Sequence, residues 1–598
     1  MNEKRSASVL LLWAGNILLG VLLSLSFLGR VTPTDSWQVA SFGVFGLVSS
    51  IGILSLVPGC LSLLLNRTCI GARRNWSMAA VWTLAVLVLF IDTRLHGFYG
   101  FHINAMVMSV LFTPGVEQSI SIGWADILPL GLLSAVLLPA QAWFAARQPG
   151  RAETRWAGAV IIASLFSFIA LQFWEAGVDP ALKGPIAERI DAAPLTMHSE
   201  PLSDFLGQLD KRELMEIPNP ALPANGPRPN FLILVLDCLR ADAIDAETAP
   251  NMFAFQKQSR NFKNHLSAGN WTQHGIFTLL YGIHGSYWKP ALRAKASPPL
   301  IRSLDQAGYD FRIYAAAAQT FPAFRSTCWV DIEDSVFDDF PGRSPAERDA
   351  QGADEFARWL SQREDSKTPF FSFFLLDATH QPYDFPDESV VFTPYEEEIR
   401  YIPISFGTDS EQRQRIRNRY RNSVHYADTI VAQILLQLEQ SGEAENTVVI
   451  ITGDHGEEFW EHGIWGHATN FSREQVEVPF MMRGPGIPPG TESRPTSHID
   501  LPRTLLALLG ADQENAADWS LGENMLNPLS KRVRVSAGWQ GLGIRMDEQI
   551  LFLPTPQGGR AAAFDLEWQR LDNTSAAFEQ ASPTLKVILG ECERFLKP

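Results

Sequence analysis

Three apolar runs, far apart in the chain, each end in acid or histidine. Phe231–Leu236 is followed by Asp237, and Phe370–Leu376 by Asp377 and then His380. Thr447–Thr452 runs into Gly453, Asp454 and His455. An unbroken apolar run of this length reads as a strand covered on both faces, as in a parallel sheet. Ligands of open α/β sheets bind beyond the carboxyl ends of the strands. Residues distant in sequence are therefore expected to converge on one site. Asp, Asp and His together suit a divalent metal such as zinc or manganese. The pattern points to an enzyme or the descendant of one.

The charge is unevenly spread. Residues 1–175 hold ten Lys/Arg against seven Asp/Glu, a balance of +3, while the remaining residues carry −19. The first part reads as a membrane domain, with spans near 8–28, 40–65, 77–93, 123–146 and 156–174. Lys4 and Arg5 precede the first span. Arg67, Arg73 and Arg74 lie between the second and third, and Arg147, Arg151 and Arg155 between the fourth and fifth. The opposite loops carry only Arg30 and Arg94. The positive-inside rule then puts the N-terminus in the cytoplasm and everything after about Trp174 outside. The segment 94–122 is long and apolar and reads as an interfacial loop. Asp92 and Asp126 sit near the outer span ends and read as interfacial carboxylates, with Arg94 as a partner. An acidic body argues against nucleic acid as a partner. Five widely spaced cysteines without a CxxC pair argue against a disulfide framework. Cys238 reads as a small buried hydrophobe.

Residues 176–228, rich in proline and charge, read as a connector with a short helix near 202–215. From 229 to 512, strands alternate with helical patterns, including a strand at Phe311–Ala315 and a long amphipathic helix over 411–440. The expected fold is a five-helix transmembrane bundle followed by an α/β domain with a mostly parallel central sheet. Residues 513–598 change character, with strands expected at 532–537, 549–553 and 561–566 and a helix at 583–596. They read as a small antiparallel subdomain.

In Trp271-Thr272-Gln273-His274-Gly275-Ile276 the apolar pattern begins at Ile276, so a helix starts near Thr272. Thr272 is either its N-cap or a nucleophile at a helix N-terminus, where an incoming anion is favoured. The two roles are compatible. His380 and His467 are candidates for contacts to substrate, leaving group or a second metal. His462 and His498 read as structural, and His274 has no independent support.

Taken together, residues 229–570 resemble the sulfatase/alkaline phosphatase superfamily. The motifs are Leu236-Asp237 with Arg240 and Asp242, Thr272, His380-Gln381-Pro382-Tyr383, and Gly453-Asp454-His455-Gly456-Glu457. Gly466-His467, Arg483-Gly484-Pro485-Gly486, His498-Ile499-Asp500-Leu501-Pro502 and Ala563-Phe564-Asp565-Leu566 complete the set. No C/S-x-P-x-R motif, the source of formylglycine in sulfatases, is present. A threonine in its place is similar to lipoteichoic acid synthases and to phosphoethanolamine transferases of lipid A, which also carry five N-terminal spans. That resemblance implies one Mn, Zn or Mg ion, with Ca less favoured, held by Asp237, Thr272, Asp454 and His455. It implies a metal-dependent hydrolase of phosphoric or sulfuric esters, or a phosphoalcohol transferase, acting on an envelope lipid or glycan.

The layout also resembles the DUF3413-containing YejM/PbgA group of bacterial inner-membrane proteins, through Ser267-Ala268-Gly269-Asn270, Gly275-Ile276-Phe277 and Tyr281-Gly282. That likeness implies the other reading, a non-catalytic lipopolysaccharide sensor working through inner-membrane protein partners. Residues 194–201 lack the arginine pair that this group's connector carries.

Overall fold

The computed structural model describes residues 2–30, 36–99, 102–104, 107–108, 124–171, 186, 190, 193, 201–363, 367–405, 407–527, 533–556 and 559–598. It divides into two compact units. One comprises residues 1–104, 122–197 and 400–408, and the other the rest.

The first unit contains five helices long and apolar enough to cross a membrane, within Ser6–Leu28, Trp37–Thr68, Gly71–Gly97, Ile127–Ala146 and Arg151–Leu171. The second is made of two consecutive pieces, Trp37–Leu54 and Leu56–Thr68. Small residues let these helices approach closely: a Cβ on Gly52 would lie 2.8 Å from the Ser164 carbonyl oxygen, and one on Gly59 would lie 2.5 Å from the Trp13 ring. Polar side chains pair across the bundle. Asn16 and Gln141 exchange amide hydrogen bonds of 2.9 and 2.6 Å, and the Trp13 indole donates to Ser55 Oγ at 2.8 Å. An unpaired amide in hydrocarbon finds no water to replace its partner. Asn16→Leu is therefore expected to lower bundle stability by about 1 kcal/mol, the usual size of such contacts in membranes, as read by thermal melting in detergent.

Two sequence expectations fail in this unit. The third helix does not stop near residue 93 but continues through Tyr99, so the start of the 94–122 segment is helical. Asp92 does not pair with Arg94. Positions two apart on a helix diverge, and Asp92 instead accepts from the Ile103 amide at 2.6 Å and meets His102 Nδ1 at 2.8 Å. The side chain of Asp126 and residues 172–174 of the fifth expected span lie outside the described residues.

In the second unit an eight-stranded sheet dominates. Its strands are β1 (Asn230–Leu236), β2 (Arg260–Phe262), β3 (Asp310–Ala315), β4 (Val336–Phe337), β5 (Phe370–Leu376), β6 (Thr447–Gly453), β7 (Phe480–Arg483) and β8 (Gly490–Glu492). Their spatial order is β8-β2-β7-β6-β1-β5-β3-β4. From β6 to β4 every pairing is parallel, and β7 runs antiparallel to both of its neighbours. All seven residues of β1, β5 and β6 are buried, which explains why their sequences show no polar alternation. Phe231, Ile233, Val235, Phe371, Phe373 and Leu375 share a core with Ile276, Phe277 and Leu280 of helix Thr272–Tyr281. That helix ends at Gly282 in the left-handed region (φ 69°), which glycine adopts without cost. On another element, Asp409 caps helix Ser410–Gln440 by accepting from the Gln412 amide.

A separate antiparallel sheet follows: β9 (Arg534–Gly538), β10 (Gly541–Arg545), β11 (Ile550–Pro554) and β12 (Ala562–Phe564). Strand β10, bracketed by glycine and arginine, was not expected from the sequence, and β12 ends two residues early. The closing helix is Ser582–Glu593. The connector helix is Pro201–Leu209, shorter than the expected 202–215. Leu214 instead forms a bridge with Leu596, and Arg212 pairs with Glu593 at 2.6 Å. Tertiary pairing overrides the local helical pattern there.

Candidate active site

Strands β1 and β6 are neighbours in parallel register, with Leu236 opposite Gly453. The next residues, Asp237 and Asp454, therefore emerge side by side at the carboxyl edge. Helix Thr272–Tyr281 brings its first residue to the same point. Gly275 permits this approach: a Cβ there would lie 2.2 Å from the Asp454 carbonyl oxygen. Any side chain at 275 would push Thr272 away from the strand ends.

The side chains converge closely. Thr272 Oγ1 lies 3.3 Å from Asp237 Oδ2 and 3.3 Å from His455 Nε2. His455 Nε2 is 3.5 Å from Asp237 Oδ1 and 3.3 Å from Asp454 Oδ2. His455 Nδ1 is 2.9 Å from the Gly456 carbonyl oxygen. A carbonyl only accepts, so Nδ1 carries the proton and Nε2 offers a lone pair to the cluster. Asp454 Oδ1 accepts from the amides of Cys238 (3.2 Å) and His455 (2.7 Å). Asp454 Oδ2 is buried without a hydrogen-bond partner.

The electrostatics favour a cation at this point. Burial, and after it the neighbouring Asp237, push the Asp454 carboxyl well above its ordinary range. Burial also acts on Asp237, but the His380 imidazole, with His467 and the Cys238 thiol, outweighs it and holds that carboxyl below its usual value. Burial and His467 hold His455 at about 3, as a neutral imidazole. Two buried carboxyls, one with an unpartnered oxygen, beside a neutral imidazole lone pair and a hydroxyl form a donor set that fits a divalent ion.

A second layer flanks this cluster. His380 and His467 have ring centroids 5.3 Å apart, and the His467 ring is 4.4 Å from that of His455. His380 Nδ1 meets the Gln381 carbonyl at 2.9 Å, and His467 Nδ1 meets Glu457 Oε2 at 2.8 Å. Cys238 Sγ is 3.2 Å from Asp237 Oδ1 and 3.4 Å from His467 Nδ1. Ligand atoms of Cys238, His380 and His467 all fall within 4.8 Å of one another. Cys238 is buried, as a small hydrophobe would be, but its thiol lies in the site. Cys238, Tyr383 and Ala468 have φ of 61°. Backbone strain of this kind concentrates at functional turns.

Glu457 organises the layer, a role the sequence did not reveal. Besides His467 it accepts from Gln381 Nε2 (2.6 Å) and the Tyr383 hydroxyl (2.8 Å), which in turn accepts from the Trp465 indole (2.9 Å). Burial alone would raise this carboxyl, but His467 and the donors around it pull it to about 2 from an ordinary 4.5. A depressed carboxyl adds stability above the unfolded value, lost as pH falls through the folded one. Wild type is expected to exceed Glu457→Gln by about 3 kcal/mol at pH 7. That gap should close between about pH 4.5 and 2, as read by denaturant melts across this range.

The remaining histidines lie elsewhere. His274 is buried, and its Nδ1 takes the hydrogen bond of the Trp271 indole. His462 pairs with Glu474 at 3.1 Å, and His498 is buried with its ring 5.2 Å from that of His265. Asp377 is buried, and its amide donates to Asp349, whose Oδ2 also takes the Ala378 amide. This holds the turn that leads to His380.

A mostly parallel sheet with acids and histidines at adjacent strand ends, and a separate small antiparallel sheet, defines an alkaline-phosphatase-like sulfatase fold. The sulfatase family model matches residues 229–511, and the model of DUF3413, a domain of unknown function, matches residues 7–215. The chain thus carries a DUF3413 domain followed by a sulfatase domain. It is a homologue of the inner membrane protein YejM of Salmonella typhimurium, 23% identical across 96% of this chain and 94% of that one. Choline-sulfatase of Rhizobium meliloti is 24% identical over 50% of this chain and 71% of its own. Among solved structures, the lipoteichoic acid synthase LtaP of Listeria monocytogenes covers 66% of this chain and 98% of its own, at 14% identity and a TM-score of 0.48. Members of the sulfatase/alkaline phosphatase superfamily typically use a divalent metal.

Proposed function

We propose that the chain is a metal-dependent enzyme that cleaves or transfers a phosphoric or sulfuric ester, with Thr272 as nucleophile. The carrying observation is the position of Thr272 Oγ1 at the helix N-terminus, 3.3 Å from both Asp237 and His455. Asp237, Thr272, Asp454 and His455 would hold the ion, and zinc, manganese or magnesium all suit these donors. When bound, it supplies Lewis acidity and lowers the pKa of the threonine hydroxyl.

Thr272 Oγ1 gives up its proton to solvent and forms the new bond to phosphorus or sulfur as the bond to the leaving oxygen breaks. The leaving oxygen takes a proton from His380 or His467. Burial opposes the charge on His380, but Asp237, Asp377 and Glu457 prevail and raise its pKa, which suits it to deliver that proton. Water or an acceptor alcohol then releases Thr272 by the reverse path. These steps are common to hydrolysis and transfer.

The five apolar helices support a substrate in or near a membrane. With the basic residues on one side, the reading is an inner-membrane anchor with a cytoplasmic N-terminus and a periplasmic catalytic domain. The substrate class is then an envelope lipid or glycan, lipopolysaccharide included, and inner-membrane proteins are candidate partners. Kinship with the inner membrane protein YejM along almost the whole chain supports the membrane anchor, and the alternative reading is a domain that binds such a lipid and signals without turning it over.

Turnover of chromogenic phosphate, phosphodiester and sulfate esters by the full-length protein with Mn, Zn or Mg separates the two. Metal-dependent release that vanishes in Thr272→Ala supports the enzyme. Envelope integrity sustained in cells by Thr272→Ala supports the sensor.

A further inference from the structure

A cleft of about 290 Å3 lies apart from the metal cluster. One wall is the 240–248 segment after β1, with Arg240, Asp242, Asp245 and Thr248. The other is the face of helix Ser410–Gln440 that carries Gln414, Arg417, Tyr420 and Arg421. Gln414, Arg417 and Tyr420 follow at intervals of three, and Arg421 lies four residues beyond Arg417, so they share one helical face. Arg240 and Tyr420 form the buried back of the cleft. The Tyr420 hydroxyl donates to the Cys238 carbonyl at 2.9 Å and accepts from the Arg240 amide at 3.1 Å. The cleft therefore rests against the back of the turn that carries Asp237.

Both acids in the lining are already engaged. Asp242 takes two hydrogen bonds from the Arg240 guanidinium, at 2.8 and 2.7 Å. Asp245 Oδ1 accepts from the amides of Glu247 and Thr248, at 2.7 and 2.8 Å. The two outer guanidinia are not saturated. Arg417 reaches Asp242 only at 3.7 Å and Glu461 only at 3.9 Å, both beyond hydrogen-bond length. Arg421 lies 3.3 Å from Thr248 Oγ1 and 3.5 Å from Glu247, over the Phe392 ring at 3.6 Å. That stacking fixes its plane while leaving donors directed elsewhere.

Two guanidinia one helical turn apart, with a hydroxyl and an amide between the same walls, match the several acceptors of one tetrahedral oxyanion. We propose that this cleft is a second, non-catalytic binding site for a phosphate or sulfate group, free or on a lipid headgroup. Glu461, 2.8 Å from Arg240, and Glu247, 3.5 Å from Arg421, border the lining and offset its three arginines. A singly charged phosphodiester or sulfate ester therefore fits better than a doubly charged phosphate. Arg240 also donates to the Glu457 carbonyl at 2.7 Å, so occupancy is linked to the residue that holds His467.

The test is calorimetric titration of the full-length protein in nonionic detergent at low salt, with EDTA present to keep the metal centre empty. The probes are inorganic phosphate, inorganic sulfate and glycerophosphoglycerol, a soluble headgroup diester. Binding is expected for wild type and equally for Thr272→Ala. It should weaken about tenfold or more in Arg417→Gln/Arg421→Gln, since each charged hydrogen bond lost is worth at least that factor. Both side chains are partly exposed, and the double variant is expected to melt as wild type does. A response to the inorganic ions identifies a free anion, and a response confined to the diester identifies a headgroup; either supports the site. No binding of any probe, undiminished binding by the double variant, or loss of binding in Thr272→Ala would overturn it.

Discussion

Thr272→Ala is expected to lower turnover by about 10⁴-fold or more, because the nucleophile acts as a unit with the groups around it. Thr272→Ser keeps the hydroxyl and should retain much of the activity. The hydroxyl is the first side chain of helix Thr272–Tyr281, and Gly275 sets how near that helix comes to Asp454. Gly275→Ala should therefore resemble Thr272→Ala in rate although residue 275 touches no substrate atom. Parallel loss of kcat in both variants, with circular dichroism unchanged, is the expected pattern. An alanine variant at 272 that keeps near wild-type kcat would remove the threonine from the chemistry.

Asp454→Asn should have opposite effects in the absence and presence of metal. In the metal-free protein Asp454 contributes a buried carboxyl with an unpartnered oxygen, crowded by Asp237. Replacing it by an amide removes that cost, so the metal-free variant should be at least as stable as wild type. With ion at 100 times its Kd, wild type gains about 2.7 kcal/mol. The variant should gain almost nothing, since loss of a direct ligand weakens affinity by about 100-fold or more. Thermal melts with EDTA and with Mn or Zn would read both effects. A variant destabilised equally in both conditions would mean that Asp454 only braces the turn.

Much of the candidate site could be read from the sequence because burial on both faces leaves a strand no charged residues until it ends. Asp237, Asp454 and His455 were legible for that reason, and the β1–β6 register explains their meeting. Glu457 was not. In Gly456-Glu457-Glu458 nothing local tells which carboxylate turns inward, and only the folded loops show that Gln381, Tyr383 and His467 close on Glu457. The Cys238 thiol was hidden in the same way, since burial and proximity to a site look alike in a sequence. In the membrane unit, apolar length located the helices. The partner of Asp92 lay ten residues further along the chain, beyond any spacing rule for a helix. The connector helix was overestimated because its last turn is replaced by a bridge to Leu596, a contact some 380 residues away in sequence.

Acid-quenched mass spectrometry of the full-length protein, incubated with metal and a chromogenic phosphodiester, tests the central claim most directly. A covalent phosphoryl ester on the peptide carrying Thr272, absent with EDTA and in Asp454→Asn, is the predicted result. An adduct on a different residue, or turnover that proceeds unchanged with EDTA, would contradict it.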